Sequence, residues 1–414
     1  MTVQITELPS GLRVVSESRR TVETVAIGVW VDVGARFETA TQNGLTHCLE
    51  HMLFKGTKTR SARDIAFEIE SVGGHMNAYT SRDNTTYYAR VLKEDLSLAV
   101  GLLGDLVINS VCDAQELERE KDVILQEIGQ TLDTPDDIVF DHLQSVAFKD
   151  QPIGRTILGD ADTVRGFNRD GLMNFLATHY LASNIVVSAV GNLDHQQLVA
   201  LAAEKFEQLP SGVRDKPETA HYVGGVHLQE RELEQLHLTL GWPGVSFHDD
   251  NYYAHQIYST ILGGGMSSRL FQEVREHRGL AYSVYSFSSS HAETGLFGIY
   301  AGTSPSLIAD MVPVVKGEME ALAKGPTEQE FQIARAQLKA GLLMALEATT
   351  SRMEQLGRQL LVFDRVIPVQ EMIDNVDGVT EQDVSAVAAE FAAIEQPSVA
   401  AVGSTAIVAK KLTL

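Results

Sequence analysis

The sequence has 414 residues, of which 44% are hydrophobic and 21% are charged, and this composition excludes an intrinsically disordered chain. Its length exceeds what one ordinary hydrophobic core organises and suits two domains of about 200 residues each. The formal net charge of −22 argues against nucleic acid and anionic membranes as partners. Solubility is the ordinary explanation of so acidic a surface, and the sharper alternative is an acidic interior that attracts basic peptides.

The cysteines and the first residues of the sequence bear on its cellular location. Cys48 and Cys112 are too few for a disulfide framework or a paired zinc motif, which fits a reducing compartment. Residues 1–20 contain no apolar signal core, and no apolar run of about 18 residues occurs anywhere in the sequence. We therefore expect a cytoplasmic protein with no membrane partner.

The spacing of apolar residues predicts strands and helices that alternate along the chain. Strands are expected within 3–33, 76–91 and 184–190, and helices at 61–71, 93–109, 113–130, 169–180 and 194–208. Residues 210–217 combine proline, glycine and charge without an apolar period, which is typical of a linker. The predicted domains are therefore residues 1–209 and 218–414, with the linker at 210–217.

The second half of the sequence repeats features of the first. Residues 184–191 are echoed by 396–403, and residues 77–80 by 280–283, each pair roughly 200 residues apart. Such repetition indicates a duplicated unit, and the mixture of strands and helices predicts the α+β class with two homologous domains. The histidine motif of the first half has no counterpart in the second, so we expect one half alone to carry a metal.

The first half contains the motif His47-Cys48-Leu49-Glu50-His51, placed after a turn at Asn43-Gly44. In a helix, residues four apart point in the same direction, so both imidazoles can reach one tetrahedral ion. Glu50 would lie near the same face and could reach a metal-activated water without being a ligand. This order, H-x-x-E-H, is the inverted form of the common zinc-peptidase motif. On the pentad alone, a helix with two surface histidines and a solvated glutamate is the alternative.

A second candidate helix, at residues 113–130, has an acidic start and an apolar side. Glu120 and Glu127 are seven residues apart in it and therefore share one stripe, two turns apart. An inward carboxylate among apolar neighbours is unusual unless it has a partner. These two glutamates are therefore candidates for a role at the metal.

Together with the residues that follow it, 52–57, the pentad resembles the pitrilysin-type zinc peptidases (family M16), in particular the branch of the mitochondrial processing peptidase. The resemblance implies that Glu127, 76 residues after His51, is the third zinc ligand, and that Glu120 is a supporting carboxylate. It extends over nearly the whole chain, through the stretches 73–80, 154–159, 190–192, 263–270 and 275–282.

The resemblance also implies a substrate site and a fold. Asn77 and Ala78 would contact an extended peptide at a strand edge. Arg275 and Tyr282 would anchor the peptide and stabilise the oxyanion, supplied by a partner protomer across an enclosed chamber. A core tyrosine and a surface arginine are the alternative for this pair. Each domain would be an antiparallel sheet covered by helices on one side.

The resulting prediction is a zinc-dependent endopeptidase that binds one zinc ion per chain. Glu50 acts as general base on a metal-activated water, and Glu120 orients a ligand. Peptides or extended presequence-like segments would be cleaved inside a dimeric chamber. A homodimer is expected because one chain carries both the metal motif and the Arg275/Tyr282 pair, and a heterodimer with a metal-less homologue stays open.

The rival hypothesis is a non-catalytic scaffold, like the family's core subunits in a respiratory complex. Those subunits typically lose part of the metal motif, whereas His47, Glu50, His51 and Glu127 are all present in this sequence. A purely structural zinc fits badly, because a closed site would need a fourth protein ligand.

Overall fold

A computed structural model describes residues 2–213, 216–394, 396–406 and 408. Residues 214 and 215 of the predicted linker, and the terminal residues 1 and 409–414 of the predicted domains, lie outside the described residues. None of the helices in the described ranges has the length and apolar character needed to cross a bilayer.

The chain forms two compact units. Unit 1 comprises Met1–Gly129, Arg155–Glu218 and Met344–Val366, and unit 2 comprises Gln130–Gly154, Thr219–Leu343 and Ile367–Leu414. The predicted domains are contiguous in sequence, whereas the units are not. Residues 130–154, from the first half of the sequence, belong to unit 2, and residues 344–366, from the second half, belong to unit 1. Each unit contains one sheet and the helices that pack on it.

In the described part of unit 1, the sheet has six strands: β1 (Val3–Glu7), β2 (Arg13–Ser18), β3 (Thr24–Val31), β4 (His75–Thr80), β5 (Thr85–Leu92) and β6 (Ile185–Gly191). Their order is β1-β2-β6-β3-β5-β4, which leaves β4 at one edge. All neighbours are antiparallel except β2 and β6, which are parallel.

In the described part of unit 2, the sheet has five strands: β7 (Val226–Glu230), β8 (Leu236–Gly244), β9 (Ser283–Ser290), β10 (Gly295–Thr303) and β11 (Ser398–Gly403). Their order is β7-β11-β8-β10-β9, and β7 and β11 form the parallel pair. Each sheet thus contains one parallel pair between strands that are distant in sequence.

The α-helices in the described part of unit 1 are α1 (Leu45–Leu53), α2 (Ala62–Ser71), α3 (Leu96–Asn109), α4 (Ala114–Leu132), α6 (Ala161–Gly166), α7 (Arg169–His179), α8 (His195–Lys205) and α12 (Thr349–Phe363). The residues of α4 after Gly129 belong to unit 2. The α-helices in the described part of unit 2 are α5 (Pro135–Ala147), α9 (Tyr252–Gly263), α10 (Ile308–Leu322), α11 (Glu328–Ala345), α13 (Val369–Gly378) and α14 (Glu381–Ala392). The last two residues of α11 belong to unit 1.

Both faces of the unit 1 sheet are apolar. On β3, Val25, Ile27 and Val29 belong to the core cluster that includes α1 and α3. The alternate residues Ala26 and Trp30 belong to a second cluster with α12, since successive side chains of a strand point to opposite faces. The sheet is therefore covered on both sides.

The contact between α12 and β3 is close because two glycines lie in it. A Cβ on Gly28 would lie 2.7 Å from Met353 Sδ, and a Cβ on Gly357 would lie 2.4 Å from Trp30 Nε1. In unit 2, α5 has the equivalent position, packed on β11 and β8.

A buried ion cluster joins α12 to the sheet. Glu17 of β2 accepts from Arg19 Nε and Arg352 Nε, each at 2.8 Å. Burial by itself would raise the pKa of the Glu17 carboxyl, but the bonds from the two guanidinium groups outweigh it, so the pKa is lowered. Glu17 is therefore ionised in the folded protein.

The predicted α+β class with two sheet-and-helix units is confirmed. Within that class, each sheet contains one parallel pair besides its antiparallel neighbours, and each has a helix on its second face. The parallel pairs arise because β6 and β11 are reached by long crossovers that contain helices. The second faces carry apolar side chains, which need a cover.

Candidate metal centre

Helix α1 presents one buried face and one polar face. Leu45, Cys48, Leu49 and Met52 are buried in the core of unit 1. The helix starts after Gly44, whose φ of 92° is in the left-handed region that glycine tolerates. His47, Glu50 and His51 thereby lie on the side of the helix opposite the core, as the spacing predicts.

His47, His51 and Glu127 come together, the last from α4. Their ligand atoms all lie within 4.8 Å of one another. Glu127 Oε2 is 3.6 Å from His47 Nε2 and 3.6 Å from His51 Nε2. Ligand atoms at about 2.1 Å from a tetrahedral zinc ion are roughly 3.4 Å apart, so the spacing suits that ion.

The protonation state of His47 also suits a metal ligand. Burial lowers the pKa of His47 to about 4, and the neighbouring His51 adds to the effect. The imidazole is therefore neutral near pH 7, which a metal ligand requires. Among the described residues, this is the one group of three His, Cys, Asp or Glu side chains with metal-ligand spacing. Two imidazoles and one carboxylate are a typical zinc donor set.

Glu120 lies behind His51, with 7% of its side chain exposed. Its Oε2 is 3.0 Å from His51 Nδ1, and its Oε1 is 2.7 Å from Lys55 Nζ. A carboxylate in this position fixes the tautomer and the orientation of the ring, so that Nε2 is directed to Glu127.

Glu50 lies beside this group without belonging to it. Thr80 Oγ1 of β4 donates a hydrogen bond of 2.6 Å to Glu50 Oε2. Burial raises the pKa of Glu50, and the hydrogen bond from Thr80 opposes that rise. A raised pKa brings a carboxylate closer to the value that suits a general base near neutral pH.

Two partners of these residues, Lys55 and Thr80, were not predicted from the sequence. Lys55 lies just after α1, which ends at Leu53, and Thr80 shares a face of β4 with Ala78. Of the two, only the alternation along β4 was a usable signal. Lys and Thr are so common on surfaces, however, that spacing alone did not distinguish them.

The predicted peptide contacts lie on β4, at the edge of the unit 1 sheet. Asn77 is exposed, and its Oδ1 accepts a hydrogen bond of 2.9 Å from the backbone N–H of Ala78. An edge strand offers backbone groups that can pair with an extended peptide.

Arg275 and Tyr282 lie in unit 2 and contact each other. The guanidinium carbon of Arg275 is 4.8 Å from the centre of the Tyr282 ring and 4.7 Å from that of Phe271. Arg275 lies on a π-helical turn, Phe271–His277, and such turns are frequent at functional sites. Tyr282 is 72% exposed, so it is not a core tyrosine.

Comparison with known families gives two matches along the chain. The model described as insulinase (peptidase family M16) matches residues 13–161, and the model described as peptidase M16 inactive domain matches residues 166–338. The predicted metal ligands all fall in the first of these matches.

Relatives with similar sequences carry the same classification. An uncharacterized zinc protease of Streptomyces coelicolor is 41% identical, over 97% of this chain and 90% of the relative. An uncharacterized zinc protease of Rickettsia bellii is 39% identical, over 92% of each chain. A probable mitochondrial-processing peptidase subunit beta of Arabidopsis thaliana is 37% identical, over 97% of this chain and 78% of the relative.

Solved structures agree in fold. A peptidase M16 inactive domain from Pseudomonas fluorescens superposes with a TM-score of 0.90 at 23% identity, covering 97% of this chain and 98% of that one. A protease from Helicobacter pylori gives a TM-score of 0.89 at 22% identity, covering 97% and 99%. With family models over most of its length and relatives near 40% identity, the chain belongs to the M16 peptidase family, among relatives of the zinc-protease and mitochondrial-processing-peptidase type.

Proposed function

We propose that the protein is a zinc-dependent endopeptidase that cleaves peptides or extended presequence-like segments. The observation that carries the proposal is the convergence of His47, His51 and Glu127, with Glu50 held beside them by Thr80. A structural site has no use for a half-buried carboxylate next to three ligands, whereas hydrolysis needs a base there.

In this proposal His47, His51 and Glu127 hold one zinc ion per chain. When bound, the ion would supply Lewis acidity, which makes a water molecule easier to deprotonate and polarises the substrate carbonyl. Glu120 keeps the His51 ring in the orientation that directs Nε2 to the ligand group, and Lys55 holds the second oxygen of Glu120.

Glu50 is the proposed general base. It accepts a proton from the attacking water and passes it to the leaving amine of the cleaved peptide bond. Thr80 fixes the rotamer of Glu50, so the base need not be reoriented during the reaction.

The substrate peptide is proposed to pair with the β4 edge at Asn77 and Ala78 and to be anchored by Arg275 and Tyr282. The exposed ring and the guanidinium of that pair offer an apolar surface and a positive charge to a peptide. Because one chain carries both the metal motif and this pair, we propose a homodimer in which each protomer supplies the pair to its partner.

The second candidate is a partner subunit in a heterodimer, favoured by one observation: a relative is named as the beta subunit of a processing peptidase. Against a non-catalytic role, the described chain retains the three side chains that could hold a metal, and Glu50, the proposed base, lies beside them. The description "inactive domain" applies to the match at residues 166–338, which does not include these residues.

Cleavage of a mixed peptide library by the purified chain tests the proposal. Activity should disappear on treatment with a chelator and return on addition of stoichiometric zinc. A chain that is fully loaded with zinc and cleaves no peptide in the library contradicts the endopeptidase and favours the partner-subunit role.

Mixing two inactive variants tests the shared site. If Glu50→Gln and Arg275→Ala are each inactive as homodimers, random heterodimers contain one intact composite site, and about one quarter of wild-type activity should return. If Arg275 acts within its own chain, mixing restores nothing, and the homodimer with exchanged residues is excluded.

A further inference from the structure

The start of helix α1 is held by a buried carboxylate that lies outside the metal ligand group. Glu38 is 2% exposed. Its Oε1 accepts from the backbone N–H of Thr46 at 2.7 Å, and its Oε2 accepts from the backbone N–H of Gly44 at 2.8 Å. Asn43 Nδ2 donates to the same Oε2 at 3.2 Å.

Through these bonds the Glu38 side chain caps the N-terminus of α1. The first N–H groups of a helix have no partner within it and are usually satisfied by the residue at the N-cap. In α1 that residue is Gly44, which has no side chain, and Glu38 supplies the acceptor from six residues upstream. Burial raises the pKa of Glu38 to about 7, and its bonds to Thr46, Gly44 and Asn43 oppose the rise.

Residues 155–163 also hydrogen-bond to the segment that precedes α1. Asn43 Nδ2 donates to the carbonyl of Thr156 at 2.8 Å, and Thr163 Oγ1 donates to the carbonyl of Asn43 at 2.9 Å. The guanidinium of Arg155 donates to the carbonyl of Glu38. Residues 155–163 therefore pack on the start of helix α1.

Two glycines make this packing possible. Gly44 and Gly159 have φ values of 92° and 77°. A Cβ on Gly44 would lie 2.5 Å from the carbonyl oxygen of Leu158, and a Cβ on Gly159 would lie 2.4 Å from that of Asn43. The backbone at the start of α1 consequently has little freedom to shift.

His47 follows directly after this fixed turn. It is the third residue of α1, next to Thr46, whose N–H is bonded to Glu38. Because the direction of a helical side chain follows from its backbone, a shift of the first turn would move the His47 ring relative to Glu127. His51, one turn later, is held independently by Glu120.

We propose that Glu38 is a positioning residue of the metal centre, which fixes the first turn of α1 and thereby directs His47 toward Glu127. This inference rests on the proposed function in taking His47, His51 and Glu127 as zinc ligands. It assigns a role to the buried acid Glu38 and to residues 155–163, which ligand chemistry alone leaves without one.

Metal binding and spectroscopy of Glu38→Gln test the inference. The amide keeps the shape of the side chain but has one acceptor, so its NH₂ group must face a backbone N–H. We expect the Kd for zinc to rise about tenfold or more. The visible d–d bands of the cobalt-substituted protein should shift, and kcat should fall with KM nearly unchanged.

Asp194→Ala is the matched control. Asp194 caps α8 in the same unit, accepting from the N–H of Gln197 at 3.0 Å. Its loss should lower thermal stability while leaving the zinc Kd and the cobalt spectrum unchanged. If Glu38→Gln gives wild-type metal affinity and an unaltered spectrum, or if Asp194→Ala changes both to the same degree, the positioning role is overturned.

Asn43→Ala decides the question if Glu38→Gln does not fold. It removes one donor to Glu38 and the bond to Thr156, so a smaller change in the same direction supports the inference and an unchanged spectrum overturns it. Failure of the proposed peptidase activity is distinguishable, since the zinc and cobalt readouts do not require cleavage. A wild-type chain that binds neither metal overturns both.

Discussion

Replacement of Glu120 by glutamine tests how much the carboxylate behind His51 contributes to metal binding. Both of its oxygens face donors, one at 3.0 Å from His51 Nδ1 and the other at 2.7 Å from Lys55 Nζ. An amide can accept from only one of them, and its NH₂ group is then directed at the other. Loss of such an outer partner costs about 10- to 100-fold in metal affinity, or about 1.4–2.7 kcal/mol.

The assay is competition for zinc against a chromophoric chelator, with Glu118→Gln as control. Glu118 lies on the same helix but is 71% exposed and pairs with Lys121. We expect the Kd of the control to match wild type and that of Glu120→Gln to rise at least tenfold. A Kd within twofold of wild type for a folded Glu120→Gln protein would refute the reasoning.

Three further predictions concern the base, the α12 contact and acid stability. Thr80→Val should lower kcat about tenfold or more at unchanged zinc content, because it removes a hydrogen bond to the Glu50 carboxylate; wild-type kcat would contradict this. Gly357→Ala should lower the free energy of unfolding, measured by urea titration, by about 1–3 kcal/mol, since the new methyl meets an indole ring at 2.4 Å. At Gly317, where a Cβ meets nothing within 4 Å, the same change should not destabilise, and equal effects would sink the argument. Glu17 has a lowered pKa in the folded protein, so its contribution is present above its unfolded value of about 4.3 and is lost as pH falls through the folded one. Glu17→Gln should therefore lose stability at pH 7 and show a weaker acid dependence below about pH 4.3 in urea titrations, whereas a slope equal to wild type would exclude the ion cluster as its source.

Local patterns in the sequence were enough to predict helix α1 and the common direction of its two histidines. His47 and His51 are four residues apart, and helix geometry alone brings their rings to one side. Glu127 is different, because a separation of 76 residues carries no distance information and only the family resemblance indicated it. The packing of α4 beside α1, which closes the group, is a tertiary feature.

Helix α5 lies in the first half of the sequence but belongs to unit 2, and α12 lies in the second half but belongs to unit 1. This assignment was not predictable by the same reasoning. The amphipathic pattern of a helix indicates that it covers an apolar surface, but not which sheet provides that surface. The parallel pairing of β2 with β6 is likewise non-local. Glu38 was missed because a glutamate six residues before a helix N-cap is typical of a solvated loop, and its surroundings depend on the packing of residues 155–163.

Zinc content and peptide cleavage of the wild-type chain and Glu50→Gln, measured side by side, test the central claim most directly. We expect about one zinc per chain in both proteins and cleavage by the wild type alone, because the variant keeps the ligands and loses the base. Cleavage by zinc-loaded Glu50→Gln at the wild-type rate would contradict the assigned base. A wild-type chain that binds no zinc would contradict the account as a whole.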